Sequence, residues 1–162
     1  RPIGTERFDC RNNRAAELGL AQDDFIAAVQ RSVARHGAAR IGVFMGTSTA
    51  GILQTELAYR RRAPDGSLPP DFDYRRTHNT FSIAEYVRTR LGLEGPCAAI
   101  STACSSSAKA FASAARLIEA GLIDAAVVGG VDTLCLTTLY GFNSLQLLSH
   151  DPCRPYDVAR DG

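Results

Sequence analysis

The chain of 162 residues has no tryptophan, one methionine and three histidines. Nowhere does it hold an apolar run of the roughly 18–20 residues that a bilayer-crossing helix needs, so no membrane association is expected. An excess of charge is missing too. Eighteen Lys and Arg stand against 17 Asp and Glu, for a formal net charge of +1, too weak a field to recruit nucleic acid or an anionic lipid surface. Cysteine is present without a pattern: Cys10, Cys97, Cys104, Cys135 and Cys153 are odd in number and irregular in spacing. That excludes the reading of a disulfide framework, and with no Cys-x-x-Cys pair and scattered histidines a zinc site has no support. A reduced, cytoplasmic compartment is the expectation. Two catalytic or nucleotide signatures are also lacking. No Gly-x-x-x-x-Gly-Lys phosphate loop occurs, and "GTSTAG" at 46–51 has the wrong spacing for a Gly-x-Ser-x-Gly elbow.

What is there is ordinary globular composition, 45% apolar and 22% charged, in a length that allows one domain with a sizeable core. Three short apolar runs read as buried strands: Ile41–Met45, "PCAAISTA" from Pro96, and "DAAVVGGVD" from Asp124. Helical patterns alternate with them. One starts near Asp23, capped by Asp23 or Asp24, with Phe25, Ile26, Val29 and Val33 on one face and Gly37 as its stop. "ILQTELAYRRR" is a second. A third is "NTFSIAEYVRTRLGL", with Asn79 or Thr80 as cap and Gly92 near its end, and a fourth runs from about Ser105 to Ala120 before Gly121. "APDGSLPPDFDY" and the stretch from His150 onward read as loop. Strands alternating with helices predict an α/β layer structure with a largely parallel sheet. Three strands make a poor stand-alone sheet, so the chain is expected to be part of a larger unit.

The chemistry concentrates at one corner, "STACSSSAKAFASAARLIEAG". A strand that turns sharply into a helix leaves the turn residue at the rim of the sheet. The unpaired N–H groups and partial positive charge of the helix start favour a thiolate and can hold a developing oxyanion. Cys104 is therefore the candidate nucleophile, able to carry an acyl group as a thioester. Ala103, Ser105, Ser106 and Ser107 leave room for a carbonyl to approach. Ala108, Phe111, Ala112, Ala115 and Ile118 supply packing for what reads as a deeply buried central helix. The competing reading is a buried space-filling thiol; Cys97, Cys135 and Cys153 are read as packing or incidental residues.

"TACSSS" at 102–107 resembles the active-site signature of β-ketoacyl synthases, the condensing enzymes of fatty-acid and polyketide synthesis. "IGVFMGTSTAGI" at 41–52, "DAAVVGGVD" at 124–132 and "GFNSLQLLS…CRPYDVARDG" at 141–162 agree in the same order. The resemblance implies a thiolase-like fold: two α/β halves in a pseudo-duplicated αβαβα architecture with a mixed sheet. Residues 1–162 would be an incomplete N-terminal half, with its opening strand and the C-terminal half absent. It further implies that Cys104 takes an acyl group from acyl carrier protein, its backbone N–H forming part of the oxyanion hole. A malonyl thioester would then lose carbon dioxide and attack that acyl group. Thr49 and Phe142 match acyl-pocket positions. Arg11, Arg14, Arg60, Arg61 and Arg62 are candidates for docking the acidic carrier protein, and Gln146 stands where many elongation enzymes carry an arginine. The family is normally homodimeric, which would bring Tyr74–Phe81 near an interface. Two histidines and a lysine would come from the second half, and His36, His78 and His150 are read as surface or locally satisfied residues. No metal or other cofactor is implied. Asp157, Arg160 and Asp161 are expected to brace the site through ion pairs. The alternatives are a polyketide ketosynthase and a non-catalytic thiolase-fold partner such as a chain-length factor; the retained Cys104 argues against the latter.

Overall fold

The computed structural model describes residues 4–161. Its centre is a three-stranded sheet, with β1 (Ile41–Gly46) between β2 (Cys97–Ile100) and β3 (Ala125–Gly130), every pair parallel. All three predicted strands are found. Each carries apolar residues on both faces, because helices cover both. Ile41, Val43 and Met45 point to one side with Val127, where α1 (Arg11–Leu20), α2 (Phe25–His36) and α5 (Ser82–Leu91) pack. Phe44 points to the other side, with Ala110, Ala114 and Ile123, under α6 (Ser106–Glu119). The remaining helices are α3 (Ile52–Arg60), the short α4 (Tyr74–Thr77) and α7 (Leu136–Ser144). The sheet is pinned at the end where the strands begin. The Arg40 guanidinium grips both Asp124 oxygens at 2.8 Å and the carbonyls of Gly121 and Leu122.

Some boundaries differ from the sequence reading, for local reasons. α1 is not foreseen as a helix because its signals are weak. It is polar, buries Asn12 and Asn13, and is capped by the Cys10 sulfur, which accepts the Asn13 N–H at 3.4 Å. Its anchoring is tertiary: Glu17 accepts from the Tyr86 hydroxyl at 2.6 Å and from Arg90 at 2.9 Å, both on α5. Asp24 does stand at the cap position of α2, but in left-handed conformation and with no side-chain capping bond. Asn79 acts one turn ahead of α5, accepting the Phe81 N–H at 2.9 Å.

The expected deep burial of α6 and β2 is not what the structure has. Only Ser106, Ala110 and Ala114 of α6 are buried, Phe111 is 63% exposed, and β2 is half-buried along its length. The sheet covers one face of α6, and among the described residues nothing covers the other. The C-terminal stretch 150–161 is loop, as read, but its charged residues bond within it. Arg154 reaches the Ala159 carbonyl at 2.8 Å and Asp157 takes the Ala159 N–H at 2.8 Å. Among the described residues it makes no ion pair with the Cys104 corner. No helix among them is long and apolar enough to cross a membrane.

Candidate active site

In a parallel sheet every strand ends at the same edge, so the loops that follow them meet there. Here those loops are 47–51 after β1, 101–105 after β2 and 131–135 after β3. The corner holding Cys104 is closed by two overlapping turns. Ser105 N–H reaches the Thr102 carbonyl at 3.4 Å, and Ser106 N–H reaches that of Ala103 at 3.1 Å. Ala103 sits in the left-handed region at φ 52°, a conformation that costs about a kilocalorie per mole for a residue with a Cβ. Side-chain bonds hold it. The buried Ser106 hydroxyl donates to the Ala103 carbonyl at 2.7 Å and accepts the Thr102 N–H at 2.9 Å. Ser48 Oγ, from the β1 loop, donates to the same carbonyl at 3.2 Å. The small serines thus hold the turn in shape as well as leaving room beside it.

The turn presents Cys104 exposed at the rim, two residues ahead of the first helical residue Ser106. Helix α6 itself sits directly on the ends of the strands. A Cβ on Gly46 would lie 2.7 Å from the Ser107 amide nitrogen, and one on Gly130 would collide with the Ser107 hydroxyl. These two glycines, one on each neighbouring strand, admit the first turn of α6 and so bring Cys104 to the edge.

A second organiser is absent from the sequence reading. Asp132, just beyond β3, reaches across to the β1 loop with one oxygen. Asp132 Oδ1 accepts from Ser48 N–H at 2.7 Å, Thr49 N–H at 2.8 Å, and the hydroxyls of Thr47 and Thr49 at 3.0 Å. Burial alone raises the affinity of this carboxyl for a proton. The four donors outweigh it and hold the group below the usual carboxylate range. A signal was available in the sequence: an acid one residue past a Gly-Gly strand end, with a Thr-Ser-Thr loop after another strand.

Thr49 is 7% exposed, its hydroxyl spent between Asp132 and the Thr133 N–H at 3.0 Å. Phe142 lies half-exposed on α7, beside a shallow cavity lined by Thr137, Thr138, Gly141 and Leu145. Three of the five arginines have polar partners. Arg14 pairs with Asp9 at 2.5 Å, Arg61 pairs with Asp71 at 3.0 Å, and Arg11 points to the Leu134 carbonyl at 3.5 Å. Arg60 and Arg62 make no ion pair among the described residues. Two of the three histidines have side-chain partners: His36 lies 3.8 Å from Asp124, and His78 is hydrogen-bonded to the Thr55 hydroxyl and packed on the Tyr74 ring. Among the described residues no three His, Cys, Asp or Glu side chains converge as metal ligands. Burial pushes the Cys97 thiol up to about 11 and raises that of Cys10, which keeps both protonated and unreactive. Cys104 and Cys153 are exposed.

Comparison with known proteins gives this geometry a context. Residues 13–162 match the family model described as beta-ketoacyl synthase, N-terminal domain. Nodulation protein E of Rhizobium meliloti is 33% identical over 126 residues, covering 77% of this chain and 31% of its own length. The 3-oxoacyl-[acyl-carrier-protein] synthase 2 of Vibrio cholerae is 31% identical, covering 96% of this chain and 42% of its own. Among solved structures, a ketosynthase from Xenorhabdus doucetiae in complex with its chain length factor superposes with a TM-score of 0.81 at 36% identity. That match covers 96% of this chain and 39% of the other. A beta-ketoacyl synthase from Burkholderia phymatum gives 0.71 at 26%, covering 99% and 41%. The chain spans about a third to two-fifths of the length of these curated relatives.

Proposed function

This chain belongs to the β-ketoacyl synthase family, and on that premise we propose that the protein carrying it is a condensing enzyme with Cys104 as its nucleophile. The observation that carries the reading is the exposed Cys104 on a strained turn where β2 runs into α6, at the edge where three strand ends meet. In the first half-reaction the Cys104 thiolate adds to the carbonyl carbon of an acyl thioester on acyl carrier protein. The carbon–sulfur bond to the carrier breaks, the carrier thiol leaves, and the acyl group stays on Cys104. In the second, a malonyl thioester loses carbon dioxide. The carbanion equivalent it leaves forms a carbon–carbon bond to the acyl carbonyl and expels the Cys104 thiolate, and the product is a β-ketoacyl thioester. The Cys104 N–H donates to the oxyanion of each tetrahedral intermediate. By the resemblance, decarboxylation calls on two histidines, and a lysine supports the site; none of the three is assigned among these residues.

Acyl carrier protein is the proposed donor and acceptor, in an elongation of the fatty-acid type. Arg60 and Arg62 are the better-placed docking candidates, since Arg14 and Arg61 already face carboxylates. Arg60→Glu with Arg62→Glu weakens carrier binding, most at low salt; unchanged binding removes the patch. A dimer with Tyr74–Phe81 near its interface is the proposed assembly, and Tyr74 and Phe81 are exposed. A second reading, a polyketide-type ketosynthase paired with a chain-length-factor subunit, is favoured by the likeness to a ketosynthase solved with such a partner. The decisive experiment incubates the full-length protein with acyl carrier protein thioesters and locates the acyl group by peptide mass spectrometry. Label on Cys104, lost in Cys104→Ala, is the expected result; label at another residue, or none, overturns the proposal.

A further inference from the structure

A helix begins with N–H groups that have no partner of their own, and it needs a cap, a packed face, or both. α7 has neither from its own sequence. Its cap position, Cys135, makes no side-chain capping bond, and none of its nine residues is buried. The cap comes instead from Glu56 on α3, eighty residues earlier. Glu56 Oε2 accepts the Leu136 N–H at 3.0 Å. Glu56 Oε1 accepts the Thr137 N–H and the Thr137 hydroxyl, each at 2.7 Å. Both oxygens are thereby engaged with the positive end of the helix, an arrangement in which a carboxylate is favoured. The segment leading into α7 is held at its other end by the Asp132 cluster, through the Thr133 N–H on Thr49 Oγ1. Two carboxylates, Asp132 and Glu56, thus fasten 132–137 to the β1–α3 unit.

We propose that Glu56 is a positioning residue that clamps the start of α7 and so sets where Phe142 stands, which makes it a determinant of acyl-chain preference. The inference rests on the condensing reading above, in which Phe142 lines the acyl pocket. Phe142 sits two turns along a helix with little packing of its own, so movement at the clamp is carried to its ring. Displacements on the ångström scale cost a reaction about tenfold to a hundredfold when they misplace the reacting group. A long acyl chain, which reaches α7, feels this more than a short one.

The test uses the full-length protein and two variants. Glu56→Ala removes both acceptors; Glu56→Gln keeps one carbonyl oxygen and holds the helix less firmly. Loading of Cys104 is measured with two-carbon and ten-carbon acyl carrier protein thioesters, as kcat and KM separately. Amide hydrogen exchange is followed across Leu136–Ser144. Glu56→Ala is expected to shift the long-to-short kcat/KM ratio by about tenfold, with Glu56→Gln between it and the parent. Exchange is expected to rise in α7 and not in β1 or α6. A change of equal proportion for both chains, or an unchanged ratio, overturns the inference even when Cys104 loads normally. Should the parent protein never load Cys104, the condensing reading fails instead. Exchange then decides the clamp alone: faster exchange confined to α7 in Glu56→Ala supports it, and unaltered exchange removes it.

Discussion

At the scale of single residues, Cys104 depends on the neighbours that hold its turn. Ala103 holds a backbone conformation that its side chain disfavours, and Ser48 and Ser106 oppose relaxation by bonding its carbonyl. Asp132 does the same for the β1 loop, with four donors on one oxygen. Removing it leaves the Ser48 and Thr49 N–H groups without their acceptor. Asp132→Ala is expected to cost about 1–2 kcal/mol of stability, since water at this solvent edge takes part of the loss, and to slow loading of Cys104. Asp132→Asn, which keeps the accepting oxygen, should lie between the two. Denaturant unfolding together with a loading assay checks this; a variant as stable and as fast as the parent would remove Asp132 from the site.

At the scale of elements, the position of α6 decides where the cysteine stands, and two glycines decide the position of α6. Gly46 on β1 leaves the space that the Ser107 backbone occupies. A methyl there meets backbone, which cannot rotate out of the way as a side chain would. Gly46→Ala is therefore expected to lose about 1–3 kcal/mol, the range for overpacking a filled space, and to displace the first turn of α6. Fluorescent maleimide labelling of Cys104 should change rate in this variant. An unchanged thermal midpoint and labelling rate would show that the turn tolerates the methyl. The helices themselves divide by how local their causes are. α2 and α5 show an apolar periodicity and a glycine stop that can be read directly. α1 and α7 depend on groups that no periodicity reports: the Cys10 sulfur that takes the Asn13 N–H, the bonds from Tyr86 and Arg90 that anchor Glu17 to α5, and Glu56 at the start of α7.

At the scale of the whole molecule, the titrating groups predict how stability follows pH. Burial depresses the His78 pKa below its ordinary value, so the unfolded chain takes up a proton before the folded one does. Stability is then complete above about 6.5 and falls as pH drops below it. Asp73, Asp124, Asp132 and Glu56 are each held below the usual carboxylate range, with hydrogen bonds and charge partners outweighing burial. Their contribution is present above about 4 and is lost as pH falls through their folded values. Two successive declines are expected in an acid titration of unfolding free energy. His78→Gln should remove the first and leave the second; a single decline in the parent would contradict this. Exposed apolar side chains on α6 and α7, among them Phe111, Leu139 and Tyr140, leave a broad uncovered surface.

Composition and pattern alone determined the alternation of three apolar strands with helices, the parallel sheet, and Cys104 as the singular chemical feature. Those are consequences of short-range order: apolar runs bury themselves, glycine ends helices, and a strand running into a helix must turn. The resemblance of "TACSSS" and its companion motifs supplied the family, which the comparison with known proteins bears out. Tertiary structure alone decided which oxygen of Asp132 gathers the β1 loop and that Glu56 caps α7. Each of these bonds joins residues whose spacing in the chain bears no relation to their spacing in the fold. They exist because the sheet brings strand ends from residues 46, 100 and 130 to one edge.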